Sequence, residues 1–93
     1  MTNVKKCEGT MTILNELGLH ARPAMLLVQA VSRLNCSVTI EKDGVVADAK
    51  SIMGVLTLAT ERGKTICVRS EGPDCEQAIE AIRKLIDAKF GED

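Results

Sequence analysis

The sequence contains very few aromatic residues: one phenylalanine, no tryptophan and no tyrosine among 93 residues. Proteins that bind single-stranded nucleic acid use aromatic rings as stacking platforms and a basic surface that attracts phosphates. This chain lacks both features, because its 12 basic and 13 acidic residues give a formal net charge of −1. We therefore expect no nucleic-acid partner, and any recognition has to come from a local patch of the surface.

Long apolar runs and metal-ligand clusters are also missing. No apolar stretch reaches the ~18 residues that a membrane-spanning helix needs, and residues 1–9 lack the apolar centre of a signal peptide. We therefore expect a cytoplasmic protein without membrane insertion. Cys7, Cys36, Cys67 and Cys75 form no CxxC pair, and with a single histidine beside them we expect no metal site. Disulfides are rare in a reducing compartment, so we expect these cysteines to act as small apolar fillers.

Hydrophobic periodicity predicts one small domain, and no linker or repeat divides residues 1–93. Period-two alternation predicts strands at 10–14, 37–42, 45–48 and 65–70, and helical spacing predicts helices at about 21–34, 52–59 and 74–90. The predicted order is therefore βαββαβα. Helices that cover one face of an antiparallel sheet bury the apolar surfaces of both layers, which makes this an α+β fold.

Turn residues separate these predicted elements. Asp43-Gly44 is a strong signal for a two-residue hairpin, and Gly18 permits a tight turn before the first helix. Glu8-Gly9 suggests a bulge or bend at the start of the first strand. Asp74 begins a capping-box pattern for the last helix, and Asn35 suits the C-terminal end of the first helix.

The only histidine, His20, lies where the first helix should begin. Pro23 is tolerated only in the first turn of a helix, so the helix should start at about Ala21 with His20 near its N-cap. The backbone amides of Ala21 and Arg22 are then unpaired donors at the positive end of the helix dipole, which favours an anion. Arg22 adds a permanent charge with a planar fork that suits phosphate. The alternative is an ordinary N-cap histidine beside a solvated arginine.

Two segments resemble a known family. The segment 17–24, LGLHARPA, resembles the active-site motif of the HPr family, the phosphocarriers of the bacterial phosphoenolpyruvate:sugar phosphotransferase system. The segment 50–55, KSIMGV, resembles the regulatory-serine segment of the same family, and the resemblance extends over residues 7–90. It implies an HPr-like open-faced β-sandwich, with a four-stranded antiparallel sheet and three helices on one face. The periodicity of the sequence agrees with this architecture.

The resemblance also implies a function for His20. Its Nδ1 would accept a phosphoryl group from phospho-enzyme I and pass it to IIA proteins. The backbone amides of Ala21 and Arg22, together with the Arg22 side chain, would hold the phosphate. A carrier of this kind takes part in a phosphotransferase relay without being an enzyme itself, so we expect no cofactor. We also expect a monomer.

Ser51 lies where the second helix needs an N-cap, which is a sufficient structural role for a serine. The resemblance implies, in addition, regulatory phosphorylation by an HPr kinase/phosphorylase. It also suggests an apolar docking patch for the partner proteins, since methionine repacks easily against several surfaces. The residues of this predicted patch are Leu19, Met25, Ile52, Met53 and Gly54. Simple core packing is the alternative explanation for their apolar character.

Other functions remain open at this stage. An HPr-like regulatory binding module, either the nitrogen-branch carrier NPr or a serine-phosphorylated co-regulator, would not be devoted to sugar uptake. An enzyme that uses His20 as a general base or metal ligand is a third possibility, but the motif contains no partner acid. Some family members carry lysines on the first helix, whereas this chain has only Arg33 there, which leaves the acceptor undetermined.

Overall fold

A computed structural model of the chain describes residues 4–58 and 60–92. The elements are β1 (Lys6–Thr12), α1 (Ala21–Val31), β2 (Ser37–Lys42), β3 (Val45–Asp48), α2 (Ile52–Thr57), β4 (Thr65–Glu71) and α3 (Cys75–Asp87), followed by a short turn (Lys89–Gly91). The strands form one sheet in the order β1-β4-β2-β3, and all neighbouring strands are antiparallel. The predicted fold class, a four-stranded antiparallel sheet with three helices, is confirmed.

The sheet is buried on one face and open on the other. Along the central strand β4, Ile66 and Val68 point toward the helices and are fully buried, because successive strand side chains alternate between the faces. Arg69 lies on the opposite face, where it forms ion pairs with Glu8 on β1 and Glu41 on β2. The open face is therefore polar, and the helices cover only the apolar face.

Helices α1 and α3 supply much of the core. They pack against each other, and α3 also covers β1 and β4. The buried residues of the two helices recur at helical spacing, as the sequence predicts. They include Ala24, Leu27, Val28 and Val31 on α1, and Ala78, Ile82 and Ile86 on α3. Because each large aliphatic side chain contributes about 1.5–3 kcal/mol when buried, this shared core contributes much of the stability of the fold.

The first strand differs from its prediction. It spans Lys6–Thr12 rather than residues 10–14, and Gly9 pairs with Val68 in an uninterrupted register, so the predicted bulge is wrong. A Cβ atom at Gly9 would lie 2.9 Å from the guanidinium of Arg83 on α3. The glycine therefore lies where α3 packs against β1.

The first helix ends at Val31, before the predicted end at residue 34. The chain beyond it is held by distant side chains: Lys50 Nζ donates to the carbonyl of Leu34 at 2.9 Å, and the carboxylate of Asp74 accepts from the amide of Asn35 at 2.7 Å. Asp74 makes no side-chain cap on α3, so the predicted capping box is wrong. Its carboxylate instead secures the loop that follows α1.

The hairpin and the second helix begin as predicted. Asp43 and Gly44 both have positive φ angles, 51° and 82°, which is the geometry of a two-residue hairpin whose twist matches its strands. Helix α2 begins at Ile52 and ends at Thr57. The predicted end at residue 59 lies outside the described residues.

The expectation about the cysteines is wrong for one pair. Cys7 on β1 and Cys75 at the start of α3 form a disulfide, with their Cα atoms 5.7 Å apart. They meet because β1 pairs with β4, and α3 follows β4 and returns over β1. The bond ties the first strand to the last helix across 68 residues of sequence, whereas Cys36 and Cys67 are free thiols.

Neither a metal-binding cluster nor a membrane-spanning helix was found where the structure is described. Across residues 4–58 and 60–92, no group of three or more His, Cys, Asp or Glu side chains is placed to hold a metal ion. Over the same residues, no helix has the length and apolar character needed to cross a membrane.

Candidate functional site

A glycine turn delivers His20 to the start of α1. Gly18 has a φ of +68°, and the amide of Leu19 donates to the carbonyl of Thr60 at 2.9 Å. The Asn15 side-chain amide donates to the Gly18 carbonyl at 2.7 Å and closes the turn from the other side. A Cβ atom at Gly18 would overlap the Thr60 carbonyl oxygen. Both the backbone conformation and the available space therefore require glycine here, as the turn prediction implies.

Gly18→Ala should destabilise the fold by about 1–3 kcal/mol, because it adds left-handed backbone strain and forces Thr60 away. Gly44→Ala is the matched control, since Gly44 also has a positive φ but nothing lies within 4 Å of its added Cβ. Urea unfolding should show a clearly larger loss for Gly18→Ala. Equal losses in the two variants would mean that the contact with Thr60 contributes nothing.

His20 is the N-cap residue of α1, as predicted. Its backbone is extended, with φ −93° and ψ −166°, and its carbonyl accepts the first helical hydrogen bond, from Ala24, at 2.9 Å. The side chain does not cap the helix and is 41% exposed. Among the described residues, the backbone amides of Ala21 and Arg22 have no acceptor. These two donors lie at the positive end of the helix dipole, directly after the imidazole.

The Arg22 side chain is exposed and forms no ion pair or hydrogen bond with any residue in the described ranges. A cation in the first turn of a helix is disfavoured by the dipole, so this arginine does not help to stabilise α1. Its guanidinium fork is available for a phosphate.

The structure adds a residue that the sequence analysis missed. Oε2 of Glu92 lies 3.2 Å from Nε2 of His20 and 2.9 Å from Nδ2 of Asn15. Glu92 is 72 residues from His20 in sequence, and no local pattern in the sequence predicts the contact between them. It is delivered by the turn after α3, where Phe90 is buried in the core and both Lys89 and Phe90 have positive φ angles.

The Glu92 carboxylate is held in its ionised form. Its partial burial would raise its pKa, but the hydrogen bonds from Asn15 and His20 and the interaction with the Leu17 backbone outweigh that effect, so the pKa is lowered. An ionised carboxylate only accepts hydrogen bonds, so Nε2 of His20 carries the proton in this contact. Among the described residues, Nδ1 has no hydrogen-bond partner.

Ser51 is the N-cap of α2, which confirms the structural role predicted for it. Its Oγ accepts from the amide of Gly54 at 3.1 Å, and its backbone is extended. Ser51 as a whole is half-buried.

The predicted docking residues divide into two groups. Met25, Ile52 and Met53 are exposed, at 46%, 42% and 70%, on helices α1 and α2, which pack against each other. Leu19 is only 4% exposed and belongs to the hydrophobic core, so its assignment to the patch is wrong. Its backbone amide donates to the carbonyl of Thr60, and its side chain is buried in the core.

Gly54 is half-buried and contributes its amide to the cap of α2, so it offers little surface. Leu17, which the sequence analysis did not include, is 68% exposed in the loop just before His20. We call Leu17, Met25, Ile52 and Met53 the apolar patch.

Comparison with known proteins decides the family. The family profile described as the PTS HPr component phosphorylation site matches residues 7–88, nearly the whole chain. The chain belongs to the HPr family. This is a family of phosphocarriers of the phosphotransferase system, and relatives called HPr and relatives called NPr are similar to this chain to nearly the same degree.

The HPr of Treponema pallidum is 43% identical over 84 residues, which cover 90% of this chain and 96% of the relative. The phosphocarrier NPr of Shewanella violacea is 44% identical over 87 residues, which cover 94% and 96%. The crystal structure of an HPr from Thermoanaerobacter tengcongensis superposes with a TM-score of 0.90 at 45% identity, covering 94% of this chain and 98% of that one. The open-faced architecture predicted from the HPr resemblance is therefore confirmed.

Proposed function

We propose that this HPr-family chain accepts a phosphoryl group from phospho-enzyme I on Nδ1 of His20 and passes it to IIA proteins. One observation carries the proposal. Nδ1 has no partner among the described residues, and it belongs to a ring at the N-terminus of α1, beside two backbone amides that lack acceptors. A nucleophile and donors for the phosphoryl oxygens are thus supplied by adjacent residues.

The chemistry follows from these groups. The lone pair of Nδ1 attacks phosphorus in line with the bond to the donor, while the amides of Ala21 and Arg22 stabilise the equatorial oxygens. The Arg22 guanidinium neutralises part of the phosphoryl charge. The site is exposed, so the phosphoryl group is held by few contacts and can leave again. No group in this sequence of events needs a cofactor.

The apolar patch is the docking surface in this proposal. Enzyme I and a IIA protein must each bring a reactive group to the same nitrogen, so each must occupy the surface around His20 in turn. Met25 and Met53 suit such use, because methionine adapts to differently shaped partners. In this proposal the carrier meets its partners as a monomer, and a second copy bound over this surface would exclude both partners.

We infer that phosphorylation of Ser51 by an HPr kinase/phosphorylase regulates this docking. A phosphate would add about −1.5 to −2 charges at the N-terminus of α2, where the dipole tolerates an anion. The fold would therefore be kept, while an acidic partner surface would be repelled. Ile52 and Met53 of the patch follow Ser51 directly.

Ser51→Asp should weaken the binding of enzyme I about 5- to 10-fold at low salt and less at high salt, since surface charge interactions are screened. Titration calorimetry measures this directly. Ser51→Asn is the matched control, because asparagine also caps a helix but carries no charge. If Ser51→Asp binds enzyme I as wild type does, the regulatory role of Ser51 fails.

Phosphorylation by enzyme I with labelled phosphoenolpyruvate tests the proposed function. We expect one label per chain, labile in acid and stable in base, as a phosphohistidine is. A folded chain that takes no label from any of several enzymes I would contradict the proposal. In that case the regulatory binding module, which acts without the histidine, becomes the better account.

The nitrogen branch is a second candidate, and the nearly equal identities to HPr and NPr relatives favour keeping it. The two candidates share the chemistry at His20 and differ in the acceptor. Offering the phosphorylated chain a sugar-branch IIA and a nitrogen-branch IIA together separates them, since the faster transfer identifies the branch.

A further inference from the structure

We propose that the disulfide between Cys7 and Cys75 is a redox switch, which a small thiol opens by attack on Cys7 to leave a folded chain whose first strand is held less firmly. The placement of the two cysteines carries the proposal. Cys7 is half-buried on a strand at the edge of the sheet, and Cys75 is buried at the start of α3. The switch acts independently of the phosphoryl transfer proposed for His20.

The disulfide fastens an edge strand to the last helix. Strand β1 pairs with β4 alone, so its other side has no neighbouring strand. Cys7 is the second residue of β1, and its partner on α3 is 68 residues away in sequence. Closing a loop of that length removes many conformations from the unfolded chain, which stabilises the folded one. The oxidised chain is therefore the more stable form.

The two cysteines differ in exposure. Cys75 is 0% exposed, whereas Cys7 is half-buried. Thiol–disulfide exchange begins when a thiolate attacks one of the two sulfur atoms, so its rate depends on which sulfur can be reached. A small thiol in solution can reach Cys7 on the edge strand, but it cannot reach Cys75 while the chain is folded.

Cys75 is placed to be the leaving group. It is the first residue of α3, and the Asp74 side chain does not cap this helix. A thiolate at a helix N-terminus is stabilised by the dipole, and a stabilised thiolate leaves faster. Glu76, the acidic residue of the first turn, is paired with Lys5 at 3.2 Å, which offsets its charge.

The opening step balances in thiols and electrons. The thiolate of a monothiol such as glutathione forms a bond to Sγ of Cys7, while the S–S bond breaks and its electron pair goes to Sγ of Cys75, which then takes a proton. A second thiolate attacks the glutathione sulfur of the mixed disulfide and releases Cys7 as a thiol. Two monothiols are oxidised to one disulfide, and the protein disulfide is reduced to two thiols. Oxidised glutathione closes the switch by the reverse steps.

Other contacts keep the two ends together after opening. The Lys5–Glu76 ion pair joins the segment before β1 to the first turn of α3, and the amide of Gly72 donates to the carbonyl of Lys5 at 2.8 Å. The seven residue pairs of β1 with β4 do not involve the sulfur atoms. The reduced chain therefore stays folded, and its two thiols remain close enough to form the bond again.

The switch and the His20 site lie at opposite ends of α3. Cys75 begins the helix, whereas Glu92, which contacts His20, belongs to the turn after its last residue. The 13 residues of α3 separate the two ends by about 20 Å. Opening the disulfide should therefore change how firmly β1 is held without changing the groups around His20.

The test uses the variant Cys36→Ser/Cys67→Ser as its background. This variant loses both free thiols and keeps the disulfide, so every thiol that appears belongs to Cys7 or Cys75. The folded, oxidised chain is incubated with glutathione, and samples are blocked with an alkylating reagent and mapped by mass spectrometry. We expect a mixed disulfide with glutathione on Cys7, then two free thiols, and closure when oxidised glutathione is added. Glutathione found on Cys75, or reduction only in denaturing urea, would overturn the proposal.

Urea unfolding of the oxidised and reduced forms measures the effect on stability. Reduction should raise the equilibrium constant for unfolding by about 30- to 1,000-fold, the usual effect of opening a long loop. Adding Cys7→Ser/Cys75→Ser to the background should reproduce the reduced form. Equal stabilities of the two forms, or a reduced chain that is unfolded without urea, would overturn the switch between two folded forms.

Labelling by enzyme I separates this proposal from the proposed function. The oxidised and reduced forms should take the label at equal rates, and unequal rates would overturn the independence of the two sites. A chain that exchanges with glutathione as described but takes no label in either form would keep the switch and contradict the phosphocarrier function.

Discussion

Replacing His20 with alanine should reduce phosphorylation by phospho-enzyme I to below detection while the domain stays folded. His20 is the only histidine of the chain, so no second imidazole can replace it. Its side chain is 41% exposed and lies outside the core, so the substitution should change the free energy of unfolding by only about 0.5 kcal/mol. Gel-based detection of the acid-labile label measures the loss.

Ser51→Ala is the control for this experiment. It removes the other candidate phosphorylation site and a helix cap, at a cost of about 1 kcal/mol, but should keep the acid-labile label. Circular dichroism of both variants shows that folding is preserved. An acid-labile label that persists in His20→Ala would place the phosphoryl group elsewhere and contradict the assignment.

Arg22→Ala should slow phosphoryl transfer by about 10- to 100-fold, the equivalent of one strong charge-assisted interaction with the transferring group. The same substitution should leave the stability unchanged or raise it by a few tenths of a kcal/mol, because it removes a cation from the positive end of α1. A slower transfer together with an undiminished stability would distinguish a role in phosphate binding from a role in folding. Single-turnover kinetics and urea unfolding of the same sample provide both numbers.

Arg33→Ala is the matched control, because it removes an exposed arginine just beyond the other end of α1. It should transfer at the wild-type rate. Arg22→Lys should fall between the wild type and Arg22→Ala, since lysine keeps the charge but not the planar fork. If Arg22→Ala transfers as fast as Arg33→Ala, the guanidinium does not hold the phosphoryl group.

Local patterns predicted much of the fold. Both boundaries of β2 and β3 and the first residues of α1 and α2 agree with the sequence, because alternation, a proline in the first turn and a serine N-cap act within a few residues. The C-terminal end of α1 was predicted wrongly, because Asp74 and Lys50 hold the residues after the helix from distant segments. Gly9 was misread for a similar reason, because it lies against distant residues of α3, Arg83 among them.

For the candidate site, too, local features were predicted and long-range contacts were not. The position of His20 at the N-terminus of α1 and the cap at Ser51 are local features, and both were predicted. Leu19 is buried where its amide bonds to Thr60, and Glu92 reaches His20 from the turn after α3, in which Phe90 is buried. The Cys7–Cys75 disulfide joins the first strand to the last helix. Pairings between the two ends of a chain leave no periodic signal in its sequence.

Phosphorus-31 NMR of the chain after reaction with enzyme I and phosphoenolpyruvate, recorded before and after a IIA protein is added, tests the central claim most directly. We expect a single phosphoramidate signal, assigned to Nδ1 of His20 by its coupling to nitrogen-15, and its disappearance as the IIA protein becomes phosphorylated. A phosphoserine signal, or a phosphohistidine that no IIA protein from either branch can discharge, would contradict the account of this chain as a phosphocarrier.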